Sequence, residues 1–409
     1  MNVFRNLLLW LSFLAVAGLF AWAPLSSRAL NLAWILLFFL VVCMFVLHGV
    51  FGQRKAGRSV LSVAAKTVFL CFSLGLTFKL LGQWYWGVLG EKISFELNAV
   101  VAAGVALAIC FLPARSARVA FVWFGLAGFS ITALWAAVNF SLHGDVALPT
   151  NAVNWGAGVA LILCVISAWA FSHQPAPWGR YLAVGLALLL VLAVFVSGRR
   201  GAFFSILWAI GLGVLGLFRS SVVTFRRPAI WLATGIALVL VSSSIWLSPN
   251  LVSSSIDRLL LGVKEASSFV TAAQDERFVP SGSVDTRLYM YKQAVEVLKN
   301  HPLEGAGPQK KLDLQVDLFH LHNEYLDAWV AYGILGLLAA LILPAGLVIA
   351  GWRVRTADPG LAWMLIGVGF SHFTSGLSNV NTFHNYYQTI FAIAVVLPFL
   401  LVKTSAAAK

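Results

Sequence analysis

Residues 33–47 read AWILLFFLVVCMFVL, with no charged or strongly polar side chain. An amphipathic helix would show a polar face with a period of 3.6 residues, and a half-buried strand would alternate. This run does neither. Barrel strands alternate over about ten residues, so the unbroken run reads as a helix surrounded by apolar material on every side. Taken outward to 29–48, it reaches the ~20 residues that a bilayer crossing needs. The same reading recurs along the 409-residue chain at 7–23, 60–81, 94–112, 119–139, 152–171, 181–197, 201–218, 229–247, 326–350, 361–377 and 386–402. The expected fold class is therefore all-α: a polytopic membrane protein of about twelve transmembrane helices with one long extramembrane loop that contains helices. Three regions follow, with spans 1–9 in residues 1–247, the loop in 248–325 and spans 10–12 in 326–409.

Composition supports this. Apolar residues make up 60% and charged residues 11%, with 30 Phe and 16 Trp; soluble domains carry about 45–50% and about 25%. A water-exposed globule of this composition could not cover its surface, which excludes disorder, a nucleic-acid-binding domain and a secreted disulfide scaffold. Cys43, Cys71, Cys110 and Cys164 all fall inside expected spans without metal-ligand spacing and read as small core residues. The net charge of +13 is a topology signal. Arg54, Lys55, Arg58, Arg115, Arg118, Arg180, Arg219, Arg226, Arg227, Arg353 and Arg355 fall in connections on one side, with Arg5, Lys403 and Lys409 at the ends and Asp358 as the single acid. Short connections on the other side hold only Arg28, Lys92, Arg199 and Arg200. The positive-inside rule then places both termini in the cytoplasm, with the excess charge facing membrane lipids rather than nucleic acid. Ala21-Trp22-Ala23 resembles a signal-peptidase site, and the expectation is a retained first span. Lys66 and Lys79 fall within the third span; Lys79 is expected to snorkel from its outer end, whereas Lys66 needs a partner or the cytoplasmic interface.

The loop holds ten of the 15 acids and eight Lys or Arg. Connections this long are usually functional. In TRLYMYKQAVEVLKN, 286–300, apolar residues at 288, 291, 295 and 298 predict an amphipathic helix with Asp285 as N-cap and Pro302 beyond its end. Leu303-Glu304-Gly305-Ala306-Gly307-Pro308 predicts a tight turn; it lacks the GKS/T ending of a phosphate-binding P-loop. The chain then returns to the membrane through His320-Leu321-His322-Asn323-Glu324-Tyr325.

Charged groups at the outer rim carry the chemistry. Arg199 and Arg200 run against the topogenic rule, and charges held near hydrocarbon are functional hypotheses by default; the alternative is an Arg that snorkels to lipid phosphate. Guanidinium suits a phosphate or pyrophosphate. Arg287 in the first turn of the loop helix could clamp an anion against the first-turn N–H groups or simply stand on a solvated face. His320 and His322 with Glu324 have the makings of a metal set, but no second cluster follows. A His at a helix N-terminus is disfavoured as imidazolium and so suits a base near neutral pH; a structural His fits equally well. Asn379, Asn381, His384, Asn385 and Tyr386 add hydrogen-bonding groups suited to sugar hydroxyls or to an ordinary interface loop. The residues by themselves describe a site that binds an anion and activates a hydroxyl.

Four short elements, in order, resemble the O-antigen ligase and polymerase family of bacterial inner membranes. They are Ser197-Gly198-Arg199-Arg200-Gly201, Asp285-Thr286-Arg287, His301-Pro302-Leu303-Glu304-Gly305-Ala306-Gly307, and His322-Asn323-Glu324-Tyr325-Leu326 followed by Tyr332-Gly333-Ile334-Leu335-Gly336. The resemblance implies an inner-membrane enzyme acting on the periplasmic face and needing no metal or cofactor. Its donor would be O-antigen linked to undecaprenyl pyrophosphate and its acceptor the lipid A–core. His322, Arg287 and Arg200 would be catalytic. Arg199, Arg200 and Arg287 would bind pyrophosphate; beside this, the polar residues read at the rim make Asn323, His320, Tyr325, His384 and Asn385 the candidates for the substrate site. Ligase is the expected member; a polymerase or a protein O-oligosaccharyltransferase is the alternative within the family, and a secondary transporter or lipid-linked glycan flippase using a buried Lys66 is the alternative outside it.

Overall fold

Sequestered from water, a spanning segment must satisfy its own backbone donors and acceptors, and the helix does this within the segment. A computed structural model describes residues 2–51, 60–91, 93–110, 116–143, 148–170, 177–197, 205–211, 235, 283–309 and 321–402. Its long elements are all α-helices: α1 Asn2–Ala21, α2 Ser27–Phe51, α3 Val60–Tyr85, α4 Ser94–Ile109, α5 Ser116–His143, α6 Ala152–Ala170, α7 Pro177–Val196, α8 Ser283–Asn300, α9 Glu324–Val354, α10 Pro359–Gly376 and α11 Asn385–Leu401. All but α8 fall on expected spans. Most of the eighth and ninth expected spans lies outside the described residues. Among those described, five helices are long and apolar enough to cross a membrane: Val60–Tyr85, Val119–His143, Ala152–Ala170, Gly179–Val196 and Glu324–Val354.

Burial sorts the helices into a centre and a periphery. Nearly every residue of α6 and α11 is buried, as expected of helices that are apolar all round. Peripheral helices instead expose large apolar side chains, among them Phe39, Leu70, Ile131 and Trp135. In water these would form an adhesive surface; against acyl chains they are matched. Helix α9 packs along α3 and α10, and α10 packs along α6.

The most consequential departure from the expected span pattern is in α9. The sequence predicts one unbroken helix for the tenth span, but α9 is interrupted at Tyr332 (φ −134°, ψ 15°) and Gly333 (φ 64°, ψ −154°). In an intact helix Ile334 N–H would donate to Val330 C=O. Instead Ala306 N–H donates to Val330 O at 2.8 Å, and Ile334 N–H donates to Leu303 O at 2.8 Å. The 303–306 backbone thus occupies the place of the missing intrahelical bond. Close approach requires glycine on both sides: a Cβ on Gly333 would overlap Leu303 O, and one on Gly305 would stand 2.5 Å from Gly333 N. Two indoles fasten the turn further, Trp329 Nε1 donating to Pro302 O at 2.8 Å and Trp86 Nε1 to Glu304 O at 3.0 Å. The glycine turn is therefore a splice joining the loop to α9 and to the end of α3.

Helix α8 also departs from expectation. It begins at Ser283, so Asp285 stands inside the first turn rather than at the N-cap, and Arg287 stands in the second turn. The four-residue offset moves Arg287 ~6 Å along the axis from the helix start, which weakens the expected clamp against first-turn N–H groups. Its buried stripe is Met290, Ala294 and Leu298, packed with Leu321 and Val330, while Val295 is 46% exposed. The face is rotated from the expected 288, 291, 295 and 298, with only Leu298 common to both.

Candidate active site

Leu321 fixes where the chain enters α9. It is fully buried, and its N–H donates to Asp327 Oδ1 at 3.1 Å. Asn323 is an N-cap of the expected type, its Oδ1 accepting from Tyr325 N–H at 3.1 Å and Leu326 N–H at 3.0 Å; such a cap contributes ~1 kcal/mol. Between these anchors His322 adopts φ 53°, and it is the one non-glycine residue with positive φ among those described. The left-handed conformation costs a residue with a Cβ roughly 1–2 kcal/mol and persists because both neighbours are held. It turns a half-buried imidazole out of the line between a core residue and a helix cap.

Helix α8 brings Arg287 to the same rim. Tyr291 OH donates to His322 O at 3.1 Å. One turn earlier, Arg287 Nη1 donates to Ser378 O at 3.5 Å, in the connection that follows α10. Burial pushes the Tyr291 phenol up, with the Arg287 charge acting the other way, so the hydroxyl stays protonated and remains a donor. Arg287 and His322 are thus positioned by one helix face against two segments that converge at this end of the bundle.

The remaining expected site residues fall differently. Tyr325 is buried; its hydroxyl donates to Phe373 O at 3.1 Å and its ring lies 5.3 Å from that of Phe373, so it packs α9 on α10. His384 is half-buried, and burial holds its imidazole below the ordinary histidine value. Asn385 is exposed at the first position of α11. Arg199, Arg200 and His320 lie outside the described residues. Asn379 and Asn381 are buried and bonded within the protein rather than offered to a ligand. Lys66 is exposed on α3, so the buried charge on which the transport alternative relies is not there. Lys79 does not snorkel: its Nζ is 3.4 Å from Glu96 Oε1, with both side chains largely buried.

Below the rim is a polar layer that the sequence reading did not assemble. Asn379 Nδ2 donates to Asn154 Oδ1 at 2.9 Å and to Asn381 Oδ1 at 3.1 Å, and Asn381 Nδ2 donates to Ser375 Oγ at 2.8 Å. Ser375 Oγ lies 3.4 Å from Tyr387 OH, which is 3.0 Å from His372 Nδ1; His372 Nε2 is 3.8 Å from Glu324 Oε1. The chain of contacts runs from α6 to the start of α9. Ionisable residues within apolar spans were the available signal. Lys79 carries that signal in the sequence, whereas Glu96 and His372 have partners far away along the chain. Among the described residues, no three His, Cys, Asp or Glu side chains are grouped as a metal ion would require.

Comparison with known families places residues 185–341 in a match to the family described as O-antigen ligase. That segment contains both arginines of the 199–200 pair, Arg287, His322, the glycine splice and the first half of α9. No curated protein matches the chain.

Proposed function

We propose that this chain, whose residues 185–341 match the family described as O-antigen ligase, is an O-antigen ligase. It moves O-antigen from undecaprenyl pyrophosphate to a sugar hydroxyl of lipid A–core, at the periplasmic face of the bacterial inner membrane. The acceptor oxygen attacks the anomeric carbon as the bond from that carbon to the pyrophosphate oxygen breaks, with inversion. His322 orients the acceptor hydroxyl and takes its proton. The pyrophosphate departs with the bonding electron pair; Arg287 and Arg200 offset its developing charge, and Arg199 is a further pyrophosphate-binding group. No metal ion takes part.

One observation carries this reading: His322 is held in a strained backbone conformation on the rim that α8 shares with Arg287. Strain retained between two fixed anchors is typical of functional positions. The capped N-terminus of α9 also disfavours a charged imidazole nearby. Purified protein given carrier-linked O-antigen and lipid A–core should form the ligated product in EDTA. Dependence on an added divalent ion would overturn the metal-free chemistry. In the host, deletion should leave carrier-linked polymer without surface O-antigen, whereas core bearing a single repeat would identify a polymerase instead.

A further inference from the structure

A cavity of about 140 Å³ lies at the rim end of the bundle, between α3, α4, the start of α9 and the 380–383 segment. Its polar wall is formed by Lys79, Glu91, Glu96, Glu324 and Asp327. Glu91 is exposed at one side, on a turn braced by hydrogen bonds from Gln83 to Glu91 O and from Gly90 N–H to Gln83 Oε1. Glu96 and Glu324 are buried, 6% and 3% exposed. Each has one carboxylate oxygen, Oε2, with no hydrogen-bond partner among the described residues. A buried carboxylate oxygen without a donor is costly, and in a native structure it calls for an explanation.

We infer that this cavity is a binding subsite for one uncharged or amino-bearing sugar residue, held through its hydroxyls by Glu324 and Glu96. Where the Glu324, Glu96, Asp327 and Glu91 side chains line the space, they offer acceptors to sugar hydroxyls. Phe95, Tyr332 and Phe383 also line the space and offer apolar faces to the C–H side of a pyranose ring. A water needs ~10–15 Å³ of such space, so the cavity has room for a ring of roughly a dozen heavy atoms. Four carboxyl groups against one ammonium disfavour phosphate here, which leaves the anion to the arginine side of the rim. The two sides are mechanically joined: Asp327 accepts from the N–H of Leu321, the neighbour of His322, and the 377–383 connection carries both Ser378 beside Arg287 and Thr382 in the cavity wall. The inference rests on the glycosyltransferase reading and adds to it where a sugar sits.

The test is direct binding by calorimetry to the full chain in detergent. The probes are delipidated core oligosaccharide and, separately, a carrier-free O-antigen repeat, each against wild type, Glu324→Gln and Ala340→Leu. Ala340 lines the cavity, so the leucine fills space without removing a hydrogen bond and keeps the test valid should the Gln variant fold poorly. Wild type should bind one probe, and Ala340→Leu should bind it at least tenfold more weakly. Binding of the core probe assigns the subsite to the acceptor; binding of the repeat assigns it to the donor. No wild-type binding of either probe, or equal binding by wild type and both variants, would overturn the inference. Transfer measured on the same preparations separates the two claims. Intact transfer with no glycan binding leaves the ligase standing without this subsite, and cavity-dependent binding with no transfer does the reverse.

Discussion

Substituting Gly333 with alanine should detach the 302–307 turn from α9 while leaving the bundle folded. Gly333 occupies φ 64°, ψ −154°, a region populated essentially by glycine, where a side chain costs ~1–3 kcal/mol. The added Cβ would also overlap Leu303 O, so the turn must move. Its two bridging bonds, Ala306 N–H to Val330 O and Ile334 N–H to Leu303 O, would break, each with a net worth of ~0.5–1.5 kcal/mol. Together these terms come to about 2–6 kcal/mol, against a typical total stability of ~5–15 kcal/mol. A penalty confined to one junction is met by local opening before global unfolding. Hydrogen exchange followed by mass spectrometry should show peptides covering 302–309 and 330–336 losing protection together, with α6 unchanged. Gly18→Ala is the control, since nothing lies within 4 Å of its Cβ position and alanine favours a helix interior. Wild-type protection at both junction peptides in Gly333→Ala would refute the splice as the element holding the loop to the bundle.

His322→Asn should keep the left-handed backbone, which asparagine tolerates, and lower the initial transfer rate by ~10²–10⁴-fold through loss of the base; near-normal turnover by a monodisperse variant would remove His322 from that role. Lys79→Met should destabilise the protein by ~3–5 kcal/mol by leaving Glu96 buried without its charge partner, whereas Lys79→Met/Glu96→Leu should recover most of the loss; equal thermal stability of single and double variants in detergent would contradict a coupled pair. Burial holds the folded His384 imidazole below the ordinary value of ~6.5. The unfolded chain therefore binds more protons just below that pH, and the His384 contribution, fully present above ~6.5, is lost as pH falls from there through the lower folded value. His384→Gln should flatten the corresponding decline in melting temperature between pH 7 and 5, and an unchanged slope would exclude this histidine as its source.

Apolar runs were sufficient for the sequence to declare a helical membrane protein, because hydrocarbon leaves a backbone few other solutions. The described helices fall on ten of the expected spans. Short local chemistry was legible too: Asn323 beside the start of α9 reads as a cap, and it caps. Tertiary structure decided whatever depended on distant partners. Gly305 and Gly333 are each unremarkable in a turn or a helix; only their mutual approach shows that the turn stands in for a helical hydrogen bond. Lys79 and Glu96 sit on different helices, and Glu324 and His372 are 48 positions apart, so no local pattern joins them. The stripe on α8 falls on Met290, Ala294 and Leu298 because those positions meet Leu321 and Val330, neighbours that apolar periodicity within the helix does not reveal. His322 was picked out by its letters, but its strain, its tie to Tyr291 and its place above a carboxylate-lined cavity exist only once helices far apart in sequence are packed together, since burial and contact are properties of the assembled bundle.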